Sequence, residues 1–304
     1  MKHLLRTCAC TLSALACLAC RETTAPSSAS APPILFEMTS LFNAIFAVNP
    51  DGTRLSQLTD ATHFDGSSAW SPDGSHIAFS SGRDGQIELY TMQSDATNPV
   101  RLTHTDVIPG SAAPRLFMGS WSSKNVLAYV FTPPFETQGN LMTIPASGGT
   151  STALTTGNQT LVGADWSPDG NRIVFTSTQV GGTSHLFIIN VDGSGLTQIT
   201  SGSVGDGGPS WSPNGQRIAF FRGASASDIH IWVMNADGTS PLQLTTGSWS
   251  DTWPSWSPDG TQIAFASTRD GAGDIYVTNA DGSNVRRITT SAIRKTWVRW
   301  RRSP

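Results

Sequence analysis

The chain has 304 residues, only 13% of them charged, and a formal net charge of −3. Loss of Lys2 and Arg6 with an export signal takes that charge to −5, so no global positive field invites nucleic acid. Lysine, a good helix former, occurs only at Lys2, Lys124 and Lys295, whereas 29 glycines and 18 prolines punctuate the chain, a balance that favours short strands joined by turns over a helical protein.

Met1–Arg6 is short and basic, and the apolar stretch behind it is too short to span a bilayer, so residues 1–20 read as an export signal. All four cysteines, Cys8, Cys10, Cys17 and Cys20, lie inside that segment. The rest of the chain therefore has no thiol for a disulfide, a metal or nucleophilic catalysis. The ending Leu18-Ala19-Cys20 resembles a bacterial lipoprotein box, in which the cysteine becomes the lipidated first residue of the mature protein. Cys17, behind Leu15-Ala16, is the alternative anchor, and cleavage without lipidation is a third course. Residues 21–33, rich in Ser, Ala, Thr and Pro, have the composition of an unfolded tether.

From residue 34 to residue 304 the chain repeats. Trp70, Trp121, Trp166, Trp211, Trp256 and Trp300 are separated by 51, 45, 45, 45 and 44 residues. A period of that length is one supersecondary unit. Four of the tryptophans open WSPDG or WSPNG, whose Pro and Gly suit a tight hairpin turn. A β-rich triplet follows, as in Ile77-Ala78-Phe79 and Ile263-Ala264-Phe265. A second β-branched and aromatic run ends in Asn-x-Asp-Gly, and a third ends in Leu-Thr or Ile-Thr. With the residues leading into the tryptophan as strand A, each repeat supplies four short antiparallel strands, which predicts an all-β, six-bladed β-propeller. Before Trp70 there are three strands, Ile34–Phe36, Ala44–Val48 and Leu55–Thr59, and after Ile288-Thr289 there is one, near Trp297–Arg301. The sixth blade is thus expected to be composite, its strand A from the C-terminus and strands B to D from the N-terminus, leaving no free edge and a monomer.

The words WSPDG, IAF and NADG, in that order, resemble the propeller repeats of the TolB family. The resemblance covers residues 34–304, with four clear copies, a degraded second blade in which Trp121 leads into Ser122-Ser123-Lys124-Asn125, and the composite sixth. It implies a periplasmic location and a partner in the cell envelope, such as a peptidoglycan-associated lipoprotein. The α/β domain that precedes the propeller in that family has no counterpart in residues 1–33, and no partner-binding residue transfers, because the loops carry no recognisable family motif.

The search for chemistry mostly fails. No G-x-S-x-G nucleophile elbow occurs. The histidines are spread over loops and strand starts (His63, His76, His104, His185 and His230), unlike the clustered metal histidines of lyases with similar repeats, and no cofactor is implied. The Asp-Gly aspartates recur in successive turns around the ring and read as turn-bonding groups, not a shared calcium site. Seven basic residues between Arg286 and Arg302 read as a solvated outer strand or as a patch for an acidic partner.

The position five residues before each tryptophan is expected at the axial funnel, and it reads Asp65, Leu116, Leu161, Asp206, Asp251, Lys295. Trp253 and Trp297 stand two residues further on, with Trp249, Arg294 and His63 in the same loops. Aromatic and charged groups at a concave mouth predict a binding site made of Asp65, Asp206, Asp251, Lys295, Trp249, Trp253, Trp297, Arg294 and His63. Packing of the two tryptophans between blades, with local pairing of the charges, is the competing expectation. The functional expectation is a non-catalytic envelope propeller that binds a protein or envelope component through its funnel loops. The alternative is a carbohydrate-binding or carbohydrate-cleaving propeller that uses the tryptophan and acid cluster.

Overall fold

The computed structural model describes residues 33–39, 43–105, 114–157, 159–179, 182–225 and 227–302. The expected export signal, both candidate anchor cysteines and residues 21–32 of the expected tether lie outside them. The described residues form six four-stranded antiparallel sheets and no α-helix. The inner A strands are Asp65–Trp70, Arg115–Trp121, Gln159–Trp166, Gly205–Trp211, Asp251–Trp256 and Lys295–Trp300, for blades 1 to 6. Each inner strand contacts the next, and Lys295–Trp300 contacts Asp65–Trp70, so the ring is closed.

Closure is the composite blade. Lys295–Trp300 pairs antiparallel with Ile34–Met38, which pairs with Ala44–Val48 and through it with Ser56–Gln57. Pairing the two ends of the chain within one sheet removes the free edge that an open ring would present.

The repeat words now have physical roles. In Ile77-Ala78-Phe79 the strand period sends Ile77 and Phe79 to the face that packs on Leu35, Ile45 and Ala47 of blade 6, while Ala78 faces blade 2. Blade 5 repeats this, with Ile263 against Ala219 and Val233 of blade 4 and Ala264 against blade 6. Large residues thus reach back to the preceding blade and the alanine leaves room for the following one. In the WSPDG turns the serine hydroxyl works twice: Ser71 Oγ donates to Asp73 at 2.6 Å and accepts the His76 amide at 2.9 Å, as Ser167 and Ser257 do in their own turns. Gly74, at φ +69°, takes the left-handed position that this turn requires.

Each D strand is only two residues long, and the Leu-Thr or Ile-Thr word explains why. The hydroxyl of Thr59, Thr103, Thr155, Thr200, Thr245 or Thr289 accepts the amide of the residue that opens the apolar part of strand C, at 2.9–3.0 Å in all six blades. A side chain thereby replaces the next bond of the ladder and ends the strand without leaving a buried amide unpaired.

Candidate binding site at the propeller axis

Every A strand carries a bulge around the third residue before its tryptophan. In five blades that residue has positive φ: Ser67 at 51°, Gly163 at 64°, Gly208 at 56°, Trp253 at 55° and Trp297 at 54°. A bulge re-aims its side chain, here at the axis. Left-handed φ costs a tryptophan about 1–3 kcal/mol and persists only where the surroundings hold it. Trp253 and Trp297 are held by each other, with ring centroids 4.3 Å apart, and Phe221 meets Trp253 edge-on at 5.9 Å. A Cβ on Gly163 or on Gly208 would come within 3.2 Å of the Trp253 ring, so the glycines of blades 3 and 4 make the space that the indole of blade 5 fills.

The expectation that Asp65, Asp206, Asp251 and Lys295 converge on an open mouth is corrected by their burial. The three aspartates are wholly buried, each beside an arginine of its own blade. Arg222 Nε lies 2.6 Å from Asp206, Arg269 contacts both Asp251 oxygens at 3.0 and 3.1 Å, and Arg83 approaches Asp65 at 3.4 Å. These guanidiniums in turn lie over rings, Arg83 on Phe79 and Tyr90, Arg222 on Phe220 and Trp232, and Arg269 on Trp249, Phe265 and Tyr276. Burial raises the pKa of Asp65, against the Ser81 hydroxyl and the charges of Arg83 and His63. Lys295 is likewise engaged locally; its Nζ is buried at 2.6 Å from Asp274, with further bonds to Ser291 and to the Ile293 carbonyl.

The remaining expected residues scatter. His63 Nε2 sits 3.1 Å from Asp65, Trp249 Nε1 donates to Asp251 at 3.3 Å, and the Arg294 side chain is exposed. Trp297 is buried, and Trp253 and Trp249 are half-buried, so the three indoles present no common open platform. The basic cluster near the C-terminus is likewise divided: Arg287 and Lys295 bind Asp274, Arg302 binds Asp165, and Arg299 turns to the axis. The Asp-Gly aspartates stay in their turns, and among the described residues no cluster of metal-ligating groups forms.

The open space lies on the other side of the axis. A cavity of about 490 Å³ is lined by residues of blades 6, 1, 2 and 3, among them Glu37, Phe64, Arg115, Phe117, Leu161 and Trp297. Phe64 and Phe117 meet edge to face at 6.5 Å. Glu37 is its distinctive polar group, a carboxylate on strand B of blade 6 that is 5% exposed. It accepts the Ser67 amide and the Asn43 side-chain amide. Burial pushes its pKa up to about 7, against the Ser67 amide, Asn43 and the charge of Arg299. Gly66 permits this approach, since a Cβ there would lie 2.9 Å from the carboxyl group.

Glu37 escaped the sequence reading, which looked for function in loops. The signal was present: the residue after the IAF-type triplet is Ser80, Val130, Thr176, Phe221 and Ala266 in blades 1 to 5, and an acid only at Glu37. That position faces the bulge of the next blade, for Ser80 Oγ accepts the Met118 amide as Glu37 accepts that of Ser67.

Fold and site define a closed six-bladed propeller with a concave, mostly apolar axial pocket holding one buried acid. Residues 203–302 match the TolB beta propeller domain. A TolB homolog from Chlorobium luteolum is 31% identical over 153 residues, which is 49% of this chain and 32% of that protein. The chain therefore aligns with about a third of the length of that curated relative. TolB from Acinetobacter baumannii superimposes over 90% of this chain and 67% of its own, with a TM-score of 0.73 at 19% identity. The putative TolB from Agrobacterium tumefaciens covers 84% of this chain and 88% of its own, with a TM-score of 0.67 at 21% identity. The repeat words and the match over residues 203–302 support a TolB-like β-propeller, and the two solved structures share its fold.

Proposed function

We propose that this is an exported envelope propeller that binds a polypeptide segment of another envelope protein in the cavity beside Glu37. The observation that carries the reading is the pocket itself: about 490 Å³, aromatic walls at Phe64, Phe117 and Trp297, and one buried carboxyl able to take a hydrogen bond from a partner's amide or amine. Similarity to TolB proteins supports an envelope setting, and a peptidoglycan-associated lipoprotein is the partner class to test first. Attachment through Cys20, or alternatively Cys17, completes the proposal. Stable attachment takes more than one acyl chain. Cys20→Ser then releases the protein from the membrane fraction, and retention of that variant with release of Cys17→Ser moves the anchor to Cys17.

The site is tested by titrating a purified peptidoglycan-associated lipoprotein into wild-type protein and into folded Phe117→Ala and Glu37→Gln variants at pH 6. The expected result is a loss of tenfold or more in affinity for Phe117→Ala and a smaller loss for Glu37→Gln. Equal affinity across the three proteins refutes the site, and no binding to the wild type refutes the partner class.

A further inference from the structure

Beyond the two indoles, at the end of the axis where the A strands finish, lies a second and much smaller cavity. Its volume is about 30 Å³, and Arg299, Arg302, Asp165, Ser120 and Ser255 are among the residues that line it. Arg299 belongs to strand A of the composite blade and is 7% exposed. Its contacts with oxygen are long, 3.4 Å to the Val298 carbonyl and 3.5 Å to that of Gly119, and its Nε has no hydrogen-bond partner. The guanidinium lies over the Trp297 ring at 5.2 Å.

Neither nearby acid neutralises it. Asp165 is taken by Arg302, at 2.5 Å, and by the Trp211 amide, at 2.7 Å, both on the same oxygen. Glu37, the other acid acting on Arg299, is largely protonated below neutral pH because burial holds its pKa at about 7. Arg299 and Arg302 against Asp165 leave one positive charge in a desolvated space. Burial lowers the pKa of Arg299, yet a guanidinium stays protonated, so below neutral pH that charge remains without a counter-ion. The neighbouring hydroxyls are donors too. Ser120 Oγ accepts the Trp166 amide at 3.0 Å and Ser255 Oγ accepts the Trp300 amide at 2.8 Å, which leaves each proton to be donated.

We infer that this end of the axis binds one small monovalent anion of the halide class, held by Arg299 and the hydroxyls of Ser120 and Ser255. The donor set points to the class: in the smaller of the two axial cavities, one guanidinium edge with two hydroxyls around a single net positive charge suits one compact monovalent anion such as chloride or bromide. Such an ion ties the C-terminal strand of blade 6 to blades 2 and 5 across the axis, so it acts on ring closure and is separate from the Glu37 cavity.

The test uses the purified protein at constant ionic strength, with chloride or bromide exchanged for gluconate, and reads the melting temperature and the bromide anomalous signal in crystals. A saturable rise in Tm of about 3 °C or more with chloride and bromide is expected, absent in Arg299→Met and reduced in Ser255→Ala. An anomalous peak beside Arg299 Nε is expected in the wild-type crystal, which does not depend on any variant folding. A Tm indifferent to the anion, a dependence unchanged in Arg299→Met or Ser255→Ala, or a wild-type site without anomalous signal each overturns the proposal and leaves water as the occupant.

Discussion

The two sides of the axis are built from equivalent repeat positions and do opposite things. Around blades 4, 5 and 6, Phe221, Trp253 and Trp297 close on one another over Gly163 and Gly208, and the space is filled. Around blades 6, 1, 2 and 3, Ser67 and Gly163 occupy the bulge positions where blades 5 and 6 carry indoles, and about 490 Å³ stays open beside Glu37. Small bulge residues leave space at the axis, which Trp253 fills over Gly163 and Gly208 and which stays open beside Ser67 and Glu37. The position five residues before the tryptophan divides the ring differently. Blades 1, 4 and 5 staple a buried aspartate to an arginine, whereas blades 2 and 3 carry Leu116 and Leu161, and Leu161 is a wall of the pocket.

The largest way to break this comparison is to remove the strand that both sides share. Deleting residues 296–304 takes away Trp297, Val298 and Trp300, unpairs Ile34–Met38 along one edge and strips the blade 5 core of its partner. A loss of several kcal/mol is expected, about that of a core strand, with exposed apolar blade faces. Thermal unfolding of the truncated protein checks this, and an unchanged melting temperature contradicts the composite blade.

Next comes the filled side alone. Trp297→Ala removes a buried indole and is expected to cost about 3–5 kcal/mol, while Trp253→Ala, at a half-buried position, costs less. Denaturant midpoints order the two variants, and a reversed order contradicts the closed packing. Asp251→Ala sharpens the polar half of the comparison. It leaves Arg269 without its buried carboxylate, and about 3 kcal/mol of stability is expected to go, whereas a loop charge reserved for recognition would cost almost nothing.

Much of the ring was legible in the sequence, because the blade period, the turn words and the split last blade are local patterns with a fixed physical reason. The IAF triplets, the Leu-Thr stops and the division of blade 6 all appear where the repeat places them. The site was legible only in part. Trp253 and Trp297 do reach the axis, but whether an aspartate there is open or buried depends on Arg83, Arg222 and Arg269, which lie 16 to 18 residues further along, and periodicity does not reveal that pairing. Glu37 was visible as the one acid at its repeat position. Its meaning came from a cavity formed by four blades, which no single repeat encodes.

The mildest test of the comparison is the protonation of the open side. Glu37 has an ordinary carboxyl pKa of about 4.5 when unfolded and about 7 when folded, so the folded protein binds more protons between those values. Stability attached to this group is present below pH 4.5 and is lost as the pH rises through 7, by about 3 kcal/mol in full. Glu37→Gln keeps a carbonyl oxygen for the Ser67 amide and cannot ionise. The variant and the wild type should therefore match near pH 4, and the variant should become the more stable of the two above pH 7. Asp65, whose pKa burial also raises, titrates in both proteins and cancels in the difference. Unfolding free energies from pH 4 to pH 8 measure it directly: a constant difference between the two proteins shows that Glu37 ionises at its ordinary carboxyl pKa in the folded protein too, and that the pocket is charged, not neutral, as the pH approaches 7.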